Sequence, residues 1–105
     1  MRIFLSVPNT TSDEDRLKLL YMLENDGHKV TCPIFVGDWW SEASMKARGI
    51  KDCSLNIFAE TLRDISNCDA IFFGRGWEND TICKMEHDAV AHYNITTIMF
   101  EENKE

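Results

Sequence analysis

The strongest constraint on the fold lies in the first third of the chain. Ile3 to Val7 is a short apolar run, closed at once by Pro8-Asn9. A run of that kind bounded by turn residues reads as a buried strand. Thr11 sits three residues before Glu14, the spacing of a capping box at a helix start. Leu17, Leu20, Tyr21 and Leu23 follow at helical spacing, and Asp26-Gly27 ends the helix with Gly27 at the C′ position. Lys29 to Cys32 is a second short strand, closed by Pro33. Strand, helix and strand in so short a span form a βαβ unit, whose crossover is almost always right-handed.

The rest of the chain repeats that alternation. Leu55, Phe58, Leu62 and Ile65 predict a helix over 55–66, and Ala70 to Phe73 a third strand. Gly74 to Asn79 reads as a loop, Asp80 as an N-cap, and Thr81 to about Tyr93 as a helix. Ile95 to Phe100 is a fourth strand, followed by a charged tail, Glu101 to Glu105. Residues 33–54 carry no clear period. They read as a loop of about 20 residues, either a functional lid or a packed loop with one short helix around Glu42 to Arg48. With 105 residues there is room for one domain, over 1–105. The pattern predicts an α/β fold: a flavodoxin/Rossmann-like three-layer sandwich with a parallel sheet of about four strands in the order 2-1-3-4. Ligands of such sheets bind outside the carboxyl ends of the strands, at the switch point. That puts Ser6 to Ser12 and Gly74 to Asp80 at the mouth of one crevice.

Charge and cysteine usage narrow the function classes. The net charge of −7 argues against a nucleic-acid partner, because phosphate-backbone binding needs clustered Lys and Arg. A single small nucleotide stays open, since one cation and a helix N-terminus can hold a phosphate. No run approaches the roughly 18 apolar residues of a membrane span, so no membrane partner is expected. Nothing at the start resembles a secretory leader. Cys32, Cys53, Cys68 and Cys83 show no CxxC spacing and read as small buried hydrophobes. A cytoplasmic protein with reduced thiols is expected. The three histidines have no metal-ligand spacing, and neither metal nor cofactor is expected.

One residue breaks the pattern. On a helical projection of roughly 100° per residue, Ile82, Cys83, Met85, Ala89, Val90 and Tyr93 share one arc, and Glu86 falls near its middle. A carboxylate there needs compensation, because an unpaired buried charge costs several kcal/mol. It is either a satisfied buried Glu, paired with Arg75 or a hydroxyl, or a functional carboxylate facing the crevice. Asp80 is an N-cap that can also face a ligand. In Gly74-Arg75-Gly76-Trp77 the two glycines let backbone approach a ligand. Arg75 could hold a phosphate and Trp77 could stack on a base, or the segment is a tight turn with a packing Trp.

Together these residues resemble the nucleoside 2-deoxyribosyltransferase-like superfamily, in particular its small bacterial and phage members. Met1-Arg2-Ile3-Phe4-Leu5-Ser6-Val7-Pro8 is similar to the family's first strand and ligand loop. Cys68-Asp69-Ala70-Ile71 with Gly76-Trp77 resembles its third strand and loop. Asp80 followed six residues later by Glu86 matches the spacing of its site Asp and nucleophilic Glu. The resemblance implies that Glu86 and Asp80 are catalytic, with Glu86 attacking the anomeric carbon of a deoxynucleoside or its monophosphate. Ser6, Pro8, Asn9, Gly74, Arg75, Gly76 and Trp77 would then bind the substrate. Water or a second base would complete hydrolysis or transfer through an oxocarbenium-like transition state. The family's sites are often completed by a neighbouring subunit, which implies a homodimer or larger homo-oligomer. This chain departs from the pattern at Thr61, where the family has an acidic residue assisting the leaving base, and at Cys83, where the family has a small residue. Thr61 shares a face with Phe58, Leu62 and Ile65 and so points inward, whereas adjacent Glu60 lies on the outer face. Two other readings remain: a non-catalytic nucleotide-binding or sensing domain on the same scaffold, and a partner-binding domain anchored by exposed Trp39-Trp40.

Overall fold

A computed structural model of the chain describes residues 1–33 and 35–100. Four strands pair in parallel: β1 (Arg2–Ser6), β2 (Lys29–Thr31), β3 (Ala70–Phe73) and β4 (Thr96–Met99). Their order is β2-β1-β3-β4, the order expected from the sequence. The helices are α1 (Asp13–Asn25), α2 (Glu42–Ala47), α3 (Cys53–Ser66) and α4 (Thr81–Val90), with single 3₁₀ turns at Asp38–Trp40 and Trp77–Asn79. Among the described residues no helix is long and apolar enough to cross a membrane. The expected tail, Glu101 to Glu105, lies outside the described residues.

The two faces of the sheet follow from the two-residue period of a strand. On one face Ile3 and Leu5 pack with Ala70 and Phe72 against Leu23 of α1. On the other, Phe4, Ile71 and Phe73 pack against Ile65 of α3 and against Cys83 and Val90 of α4. Ser6 follows Phe4 by two residues, so the same alternation aims its hydroxyl toward α4. Gly74 extends β3 by donating its N–H to Ser6 O at 2.8 Å. A Cβ on Gly74 would lie 2.8 Å from Val7 Cγ1. Gly74→Ala is therefore expected to lower stability by about 1–3 kcal/mol, read as a drop in the thermal midpoint.

Several boundaries differ from those expected. The cap of α1 is Ser12, not Thr11: Ser12 Oγ accepts from Asp15 N at 3.1 Å, while the Thr11 amide closes a turn onto Pro8 O at 3.0 Å. That turn uses up the residue on which the capping box was placed. On α1, Leu17 and Tyr21 are exposed and Leu19 and Leu20 pack with Leu23, so the buried stripe is rotated from the expected one. Helix α3 starts at Cys53, two residues early, because Asp52 Oδ1 accepts from Leu55 N at 2.9 Å. Helix α4 ends at Val90 rather than Tyr93, as Tyr93 N bonds back to Val90 O in a tightened turn. Strands β1, β2 and β4 each stop short of the apolar run that carries them.

Residues 35–52 form a packed loop with the short helix α2 near its expected place. Met45 is buried and accepts from Asn56 Nδ2 of α3 at 3.5 Å. Trp40 meets Phe35 edge-on, and exposed Trp39 carries the Arg48 guanidinium over its ring at 3.7 Å.

Candidate functional site

Helix α4 presents Cys83, Glu86 and Val90 to the sheet, a stripe at positions i, i+3 and i+7. Glu86 is 4% exposed, as its place among apolar residues implied. The stripe is narrower than the expected arc: Ile82, Met85 and Tyr93 are exposed. They sit on its flanks, where a helix over a flat sheet leaves side chains in solvent.

Glu86 is compensated by a hydroxyl. Ser6 Oγ donates to Glu86 Oε1 at 2.6 Å and also lies 3.2 Å from Cys83 Sγ. Burial pushes the Glu86 carboxyl up, the Ser6 bond pulls it down and the Asp80 charge pushes it up again, to about 7. The carboxyl is thus poised near neutrality. Cys83 is 1% exposed, and burial pushes its thiol up to about 12, which removes it as a nucleophile.

Asp80 caps α4. Its Oδ1 accepts from Cys83 N at 2.9 Å, and its Oδ2 accepts from Asn9 N at 3.0 Å. Burial raises this carboxyl, but the amides of Cys83 and Asn9 outweigh burial and hold it below the usual range. The residue therefore ties the loop after β1 to the start of α4. Asp80→Ala is expected to cost about 1–2 kcal/mol in denaturation, and Asp80→Asn much less, since Asn also caps.

Glu86 opens into a cleft of about 300 Å³, at the small end for small-molecule sites. Its floor is Phe4 to Val7 of β1 and the loop just after it. Its walls are Cys32, Pro33 and Phe35 after β2, Ile57 and Thr61 of α3, Ile82 of α4, and Arg16 of α1. Thr61 is buried and faces the cleft, as its helical phase implied; Glu60 is not among the lining residues. The cleft lies on the β2 side of β1, whereas the strand order had suggested the β3 side.

The expected site residues divide between three places. Ser6 and Glu86 meet in the cleft. Pro8 is buried and Asn9 exposed at its rim, where Asn9 meets Asp80. Arg75 is not the partner of Glu86. It lines a second depression, of about 440 Å³, with Thr10 to Ser12, Lys18 and Phe100, and its guanidinium lies 5.3 Å from the Phe100 ring. Trp77 stacks on His87 at 4.7 Å and meets Phe73 at 5.1 Å with the rings tilted by 40°. Gly74 and Gly76 shape the turn between them; Gly76 sits at φ +83°, in the left-handed region.

Sequence reasoning missed Arg16. A signal was present: a cation in the first turns of a helix opposes the macrodipole. Arg16 stands there directly after Asp13-Glu14-Asp15. Cys32 and Phe35 were missed because only the fold brings the segment after β2 across from α3. Among the described residues no group of three or more His, Cys, Asp or Glu side chains is placed to hold a metal ion.

Comparisons with protein-family models, with curated proteins and with solved structures return no match.

Proposed function

We propose that the chain is an N-glycosidase or deoxyribosyltransferase of nucleosides or nucleotides, with Glu86 as nucleophile. The observation that carries this reading is the buried Glu86 carboxyl, held by Ser6 Oγ at 2.6 Å and facing a mostly apolar cleft. Its ionised form attacks the anomeric carbon, the C–N bond breaks toward the base, and a glycosyl ester forms on Glu86. Water or a second base then attacks the same carbon and frees the carboxylate. Asp80 adds negative potential near a transition state that carries positive charge on the sugar. The resemblance to nucleoside 2-deoxyribosyltransferase-like proteins belongs to this proposal.

The finer consequences go with it. The partner is a small nucleoside or nucleotide rather than nucleic acid, which the net charge of −7 supports. Exposed Ile82 and Met85 beside the cleft, with Leu17 and Tyr21 on α1, support a homodimer or larger homo-oligomer. All four cysteines stand as free thiols, which fits a cytoplasmic location.

The test is chromatographic detection of free base from a panel of deoxynucleosides and their monophosphates, wild type beside Glu86→Gln. Release by the wild type alone supports the reading. A second reading, a non-catalytic nucleotide-binding or sensing domain, is favoured by one observation: the cleft wall carries Thr61 where a leaving-group acid would stand. Saturable nucleotide binding with no base released by wild type would select it.

A further inference from the structure

The cleft is lined by a half-buried cation that the reaction above leaves unused. The Arg16 side chain is 26% exposed, yet the one protein hydrogen bond described for it runs from Nη1 to Asp13 Oδ1 at 3.0 Å. Asp13 itself is 94% exposed, so this is a solvent-side contact of small worth. A guanidinium carries five N–H donors in a planar fork. A cation in the first turn of a helix opposes the macrodipole, so one surface bond is a weak structural reason for Arg16 to stand there. Arg16 lines the cleft together with Glu86, and no described side-chain nitrogen or oxygen is both fully buried and unbonded.

The chemistry of the cleft says what those donors meet. The described ionisable groups lining it are Glu86, Arg16 and the Cys32 thiol. Glu86 is spent as nucleophile. Burial pushes the Cys32 thiol up, with Arg16 pulling it down and Glu86 pushing it up. Thr61 offers only a hydroxyl. No carboxylic acid is therefore left to protonate a departing base, and Arg does not give up its proton. A base must then leave as an anion, and the group that can receive an anion is the guanidinium.

Taking Glu86 as the nucleophile, we infer that Arg16 binds the departing base as its anion, which makes the cleft selective for bases of the uracil type over adenine and cytosine. The C1′–N electron pair passes to the base nitrogen as Glu86 Oε bonds to C1′. The fork of Arg16 donates to that ring nitrogen and to the neighbouring carbonyl oxygen. Water later attacks C1′, its hydroxyl stays on the sugar, its proton goes to the base, and Glu86 is freed as carboxylate. Cytosine forms a far poorer anion and needs a general acid, and adenine has no carbonyl beside its glycosidic nitrogen to take the second bond of the fork.

The experiment measures base release from 2′-deoxyuridine, 5-fluoro-2′-deoxyuridine, 2′-deoxycytidine and 2′-deoxyadenosine by wild type, Arg16→Gln and Arg16→Lys, with circular dichroism to check folding. The expected order places the fluorinated uracil first and the amino bases last. Arg16→Gln is expected to slow the uracil pair by about 10²-fold, and to change the amino bases little. Arg16→Lys keeps the charge without the fork and should recover part of the loss. Release that favours adenine or cytosine, or an Arg16→Gln loss equal for all four, would overturn the inference while leaving Glu86 as nucleophile. No release of any base by wild type would overturn both.

Discussion

Glu86→Gln should abolish base release, by about 10⁴-fold or more, because an amide oxygen cannot form the glycosyl ester. The same substitution should leave the fold intact and raise its stability in mild alkali. The amide still accepts the Ser6 hydrogen bond and fits the volume that Glu86 fills. It also removes a charge from a position that is 4% exposed. Thermal unfolding at pH 8 should show the variant several degrees above wild type, and at pH 4.5 the two should coincide. A variant that keeps turning over would end the nucleophile assignment. A variant that unfolds at pH 8 would mean the carboxylate is a structural anchor.

The second large effect is on pH, and it appears in stability and in rate with opposite signs. The folded-state value of Glu86 is raised from 4.5 to about 7. Between those values the folded chain holds a proton that the unfolded chain has lost. Stability is therefore full below about pH 4.5, falls as pH rises toward 7, and is flat above. The fall amounts to on the order of 3 kcal/mol from this group. The rate runs the other way, because only the carboxylate attacks. Base release should rise about tenfold per unit up to pH 7 and then level off. A rate that falls through pH 7 would recast Glu86 as a general acid. Ser6→Ala removes the bond that favours the ionised form, so its profile should shift upward by roughly one unit, with the rate recovered at pH 9.

Much of this was legible in the residues. The apolar runs at Ile3 and Ala70 are short, punctuated and flanked by helical periods, so strand count and parallel pairing followed from local signals, and the order β2-β1-β3-β4 from the fold type that this alternation implies. Asp80 could be read as a cap because capping is a matter of three neighbouring residues. Glu86 could be read as buried because its phase on α4 is set by its neighbours in sequence. Thr61 faced inward for the same reason.

What failed was whatever depended on where one element lies against another. Ile82 and Met85 share an arc with Glu86, but a flat sheet covers only a narrow stripe of a helix. Arg75 and Trp77 were grouped with Glu86 by closeness in sequence. The fold sends one toward Phe100 and stacks the other on His87. Arg16 lies 70 residues from Glu86, since 86 − 16 = 70, and no periodicity relates them. The sequence by itself determined the order of strands and helices and the inward phase of Glu86 and Thr61, because those depend on backbone geometry over a few residues. Only the tertiary structure decided that Ser6, Arg16, Cys32, Thr61 and Glu86 share one cleft, because that depends on how α1, α3 and α4 pack around the ends of β1 and β2.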